Sequence, residues 1–71
     1  MEWDYSKLRG RIREKCRTQE MFAKKLGIGR VSMSQRINNK LEFSQCEIFK
    51  SCEILGIEFS DIPKYFFEKK V

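Results

Sequence analysis

The chain has 71 residues, 41% of them apolar and nine aromatic, with a formal net charge of +5. A chain of this length buries about 60% of its unfolded surface, so a single domain over residues 1–71 with one compact core is expected, and the aromatic content excludes a disordered segment. Three cysteines without C-x-x-C spacing and the absence of histidine leave no common zinc site, no apolar run approaches a membrane span, and the acidic Met1-Glu2-Trp3-Asp4 start is unlike a signal peptide. A cytoplasmic protein with no metal, no cofactor, no membrane partner and no small-molecule ligand is expected.

A first helix is predicted over residues 5–16, capped by Asp4 or Ser6, with Leu8, Ile12 and Cys16 recurring every four positions on its inner face. Gly10 weakens it, by about 1 kcal/mol against Ala, which suggests a close approach of another backbone. Thr18 is placed to cap a second helix over residues 19–26, where Phe22, Ala23 and Leu26 form the inward stripe and Gly27 provides the left-handed stop. Met21 in this helix is expected either to cover part of the first helix or to mark a partner contact.

A third helix is predicted over residues 30–38. Met33 and Ile37 lie one turn apart and face the core, so Val31 and Gln35 point away from it, flanked by Ser32, Ser34 and Asn38. After the Asn38-Asn39-Lys40 turn, Ser44-x-x-Glu47 has capping-box spacing and opens a fourth helix over residues 45–55, with Ile48, Phe49, Cys52 and Leu55 expected inward and Gly56 as its stop. Ser60 is a candidate cap for a last helix over residues 61–67, with Pro63 tolerated in its first turn. Tyr65, Phe66, Phe67 and Trp3 are expected to close the core, with one aromatic face left for a dimer contact. No run alternates with the two-residue period of a strand, so the fold class is all-α with five helices.

Charge is distributed unevenly. Between Lys7 and Lys40 stand eleven Lys and Arg against Glu14 and Glu20, a local balance of +9, whereas the residues before Lys7 and those from Leu41 onward each contribute −2. Such a segment favours an anionic partner. The acids are scattered, and there is neither histidine nor a glycine-rich phosphate loop, so no catalytic residues and no enzyme activity are expected.

Two short helices joined through a glycine turn form a helix-turn-helix unit. Here the pattern runs Thr18-Gln19-x-x-Phe22-Ala23-x-x-Leu26-Gly27-Ile28, then Met33 and Ile37, with small Ala23 where the helices cross. The stretch TQEMFAKKLGIGRVSMSQRINNK, residues 18–40, resembles the Cro and phage-repressor family of helix-turn-helix proteins, most like the small Cro-type regulators of temperate phages.

The resemblance implies a compact five-helix domain of the lambda-repressor-like type and a transcription regulator bound to double-stranded DNA. By motif position, Arg30, Val31, Ser32, Ser34, Gln35 and Arg36 become the candidates for reading bases, and Thr18, Gln19, Asn38, Asn39 and Lys40 the candidates for phosphate contacts. The chemistry agrees: Arg pairs bidentately with guanine, Gln with adenine, and Val packs on a thymine methyl. A pseudo-palindromic operator read by a homodimer, at least on DNA, follows from the same resemblance. The sequence departs from the family pattern at Gly29, where a Ser or Thr cap is usual, and at Met21, where a charged residue is usual. The alternative reading is a helix-turn-helix protein-interaction module that grips a partner regulator, with weak or no DNA binding.

Overall fold

The computed structural model describes residues 2–71. Five α-helices run in order: α1 (Ser6–Cys16), α2 (Gln19–Leu26), α3 (Arg30–Ile37), α4 (Gln45–Leu55) and α5 (Ile62–Phe66), the last preceded by a 3₁₀ turn over Phe59–Asp61. The core gathers the inner stripes of all five: Tyr5, Leu8, Ile12 and Cys16 from α1 and its approach, Phe22, Ala23 and Leu26 from α2, Met33 and Ile37 from α3, Cys52 and Leu55 from α4, and Phe66 from α5. Phe43, in the loop before α4, stands edge-on to both Tyr5 and Phe66, with ring centroids 5.6 and 5.3 Å apart, the geometry favoured by aromatic quadrupoles.

The helix ends follow local chemistry. At α1 neither expected cap holds: Tyr5 is the N-cap and provides no side-chain cap, Ser6 is already helical, and Asp4 Oδ1 accepts from the Ser6 backbone N–H at 2.9 Å from outside the helix. Thr18 Oγ1 accepts from Met21 N–H at 3.1 Å. The capping box of α4 is complete, with Ser44 Oγ accepting from Glu47 N–H and Glu47 Oε1 from Ser44 N–H. Gly27 and Gly56 close α2 and α4 at φ of 85° and 65°, where a side chain would be strained. Gly29 at the start of α3 provides no side-chain cap.

Three expectations are corrected. No atom lies within 4 Å of where a Gly10 Cβ would stand, so no backbone approaches it and the helix simply carries a weak former on an open face. Phe49 is half exposed, because the inward stripe of α4 runs through Ile48, Ser51, Cys52 and Leu55, the i, i+3, i+4, i+7 set. Fully buried Ser51 takes the inward place and satisfies its hydroxyl by donating to the Glu47 carbonyl at 2.7 Å. Ser60 lies inside the 3₁₀ turn rather than capping α5.

Sequence periodicity did not anticipate how the chain ends meet. Trp3 and Lys69 form an isolated antiparallel bridge, Asp4 N–H donates to Glu68 O, and Lys70 N–H donates to Glu2 O. Asn39, in a left-handed conformation at φ 64°, joins this clasp to the turn after α3: its Oδ1 accepts from Trp3 N–H at 2.8 Å and its Nδ2 donates to Trp3 O at 3.0 Å. Of the three free cysteines, Cys16 and Cys52 are buried and Cys46 is exposed on α4. Among the described residues no helix is long and apolar enough to cross a membrane.

Candidate functional site

The helix-turn-helix segment presents α3 on the surface, held from beneath by buried Met33 and Ile37. Val31 is 68% exposed, Gln35 and Arg30 are exposed, and Ser32 and Ser34 are half-buried beside them. An outward face centred on Val31 and Gln35 therefore exists as the helical period requires.

One of the two arginines of α3 is held firmly by a carboxylate of the same chain. Arg36 forms a fork with Glu47 of α4, Nε to Oε1 at 2.8 Å and Nη2 to Oε2 at 3.2 Å, and Nη1 donates to the Ser32 carbonyl at 2.9 Å. Both side chains are more than four-fifths buried. Burial alone would push the Glu47 carboxyl up, but the Arg36 fork and the Ser44 N–H outweigh it and hold the group below the usual carboxylate range. Arg36 is thus a strut between α3 and α4, set apart from the exposed face. Arg30, at the open end of α3, lies 4.0 Å from Glu20 of α2, an exposed and loose pairing.

The residues expected at phosphates are similarly divided. Asn39 spends its amide on Trp3, and Asn38 donates to the Ser34 carbonyl and hydroxyl while accepting weakly from Arg9 at 3.4 Å. Thr18 uses its hydroxyl as the α2 cap. Lys40 is exposed and without an ion pair among the described residues, and Gln19 is half-buried at the start of α2.

Seven of the eleven cations between Lys7 and Lys40 have no carboxylate partner among the described residues: Arg9, Arg13, Lys15, Arg17, Lys24, Lys25 and Lys40, all exposed. Three of them, Arg9, Arg13 and Arg17, stand four residues apart and line a shallow hollow with Thr18 and Gln19 at the N-terminus of α2. Apart from Lys40 in the turn after α3, the unneutralised charge therefore lies along α1, its C-cap Arg17 and α2, beside α3 rather than on it. Met21, also on α2, is 44% exposed.

Arg11 is a structural residue that charge counting alone hides. Its guanidinium donates to the Leu55 and Gly56 carbonyls at 2.9 Å each, capping the C-terminus of α4, and it also pairs with Glu14 at 3.1 Å. Its position at i+3 from Leu8, on the edge of the inner stripe, is the one signal in the sequence that distinguishes it from its exposed neighbours.

Residues 1–69 match a family model described as a protein of unknown function (DUF739). The chain belongs to that family. Its fold is similar, at a TM-score of 0.85, to the solution structure of the modulator of repression (MOR) of the temperate bacteriophage TP901-1 from Lactococcus lactis. The two are 44% identical, and the match covers 100% of this chain and 96% of that one. No curated protein matches this member of the DUF739 family. The likeness establishes the five-helix fold and sets the chain beside a phage regulatory protein, a coarser statement than the Cro-type assignment expected from residues 18–40.

Proposed function

We propose that this DUF739 protein is a phage regulatory module that acts in the cytoplasm by binding a partner regulator protein through its helix-turn-helix face, with weak or no DNA binding of its own. It is a binding protein rather than an enzyme. The observation that carries this reading is the state of α3, whose Arg36 is locked to Glu47 away from the surface while an apolar valine stands exposed at its centre. A helix reading guanines needs guanidiniums on its outward face, and of the two in α3 only the loosely paired Arg30 is exposed. An exposed apolar centre, with unpaired cations on the neighbouring helices, instead suits a protein interface with an acidic partner. Likeness to a modulator of repression points the same way.

The second reading, a Cro-like repressor of a pseudo-palindromic operator acting as a homodimer, draws on the seven unpaired cations and on exposed Gln35. One pair of measurements separates the two. Titration of the chain into a temperate-phage repressor bound to its operator is expected to change operator occupancy, and Val31→Asp to abolish the change while leaving the helical circular dichroism intact. Selection from random duplex DNA is expected to enrich no sequence, with affinity no better than the roughly 10⁻⁴ to 10⁻⁶ M of non-specific binding. Enrichment of a symmetric half-site, lost in Gln35→Ala, would establish the DNA reading instead.

A further inference from the structure

The half-exposed aromatics of the C-terminal half are not scattered. Phe49 of α4 and Phe59 of the 3₁₀ turn stand 5.6 Å apart, and together with Ile62 and Phe67 they line a hollow beside α4. A second hollow, lined by Trp3, Phe43 and Phe66, shares Gln45, Ile48 and Phe67 with the first, so the two form one continuous apolar trough. It uses no residue of α2 or α3, and so lies apart from the helix-turn-helix face.

We infer that this trough is a docking site for one amphipathic helix of a partner protein, with an apolar face and basic flanks. Three observations select that occupant. Phe49, Phe59 and Phe67 are 50%, 62% and 48% exposed, and with roughly 200 Å² per aromatic side chain they offer about 300 Å² of apolar surface. A stable dimer needs about 800 Å² from each partner, whereas the narrow face of a single short helix is matched by the smaller area. The surface is concave, so two copies placed face to face would enclose a void, while a convex helix fills it. Lastly, Glu42 lines one end of the trough and Glu58 flanks Phe59 at the other, and neither pairs with a basic side chain among the described residues. Acids at both ends favour lysine or arginine flanks on the incoming helix.

The test uses the full ¹⁵N-labelled chain and two amphipathic peptides of about 14 residues, four helical turns, one alternating Leu and Lys faces and the other Leu and Glu faces. The Leu/Lys peptide is expected to shift the amides of Phe49, Phe59 and Ile62 saturably and to leave those of α3 in place. Phe59→Ser, at an exposed position outside the core, is expected to weaken binding roughly tenfold or more. Equal binding of the Leu/Glu peptide, binding that survives Phe59→Ser, or no binding overturns the inference. Shifts of the same amides on raising the protein concentration alone overturn it in favour of a second copy. None of these outcomes depends on what α3 binds.

Discussion

Arg36 and Glu47 stand eleven positions apart and meet in a bidentate fork at 2.8 and 3.2 Å, largely shielded from water. One carboxylate does two tasks, since Glu47 Oε1 also closes the capping box of α4. Glu47→Gln leaves Arg36 facing a neutral amide, and removing one partner of such a pair is expected to cost roughly 2–3 kcal/mol, below the full value for complete burial. Because the folded state holds Glu47 below its ordinary pKa of 4.5, the unfolded chain binds the proton more readily. The stabilisation is therefore present above that ordinary value and lost as pH falls through the depressed one. Urea unfolding at pH 6 and pH 3 checks both points: the native protein loses stability on acidification, and Glu47→Gln loses less of it. Asp4, lowered chiefly by the Ser6 backbone N–H, keeps a residual slope of the same sign.

At the level of elements, the helices follow the apolar spacing so closely that α2 and α4 span the residues expected of them and α1 and α3 differ by one residue at an end. Periodicity works there because each stripe has a single core to face. It misleads at α4, where a polar residue takes an inward place: Ile48 and Phe49 both read as inward, but the inner set runs through Ile48, Ser51, Cys52 and Leu55 and leaves Phe49 outside it, beside Phe59. Gly10 is a related case, since its cost is legible from residue type and its surroundings are not. With open space where a side chain would go, Gly10→Ala is expected to stabilise the fold by about 1 kcal/mol, raising the midpoint of thermal unfolding by roughly 4–8 °C, as differential scanning calorimetry would record. The outward residues of α3 were legible for the same reason as its core residues. The engagement of Arg36, Arg11 and Asn39 was not, because each depends on a partner brought near only by tertiary structure: Glu47, the end of α4, and Trp3.

Across the whole molecule the charge divides into a basic region on α1 to α3 and a mildly acidic one from Leu41 onward. The apolar trough lies in the second region and the exposed valine in the first, so two different surfaces face solvent with opposite electrostatic character. The basic region attracts an acidic partner over about a Debye length, roughly 8 Å at physiological salt, and the trough imposes shape at close range. The division also bears on Cys46, which shares α4 with Phe49, one turn away. Its thiol is open to solvent, whereas Cys16 and Cys52 are enclosed and burial pushes the Cys52 thiol up, keeping it protonated. The native chain therefore carries a built-in attachment point for a single fluorophore or spin label, positioned to report on the trough without any engineered residue. Reaction with a thiol reagent is expected to modify one cysteine per folded chain and three in urea, and mass spectrometry of the labelled peptide would place the first on α4.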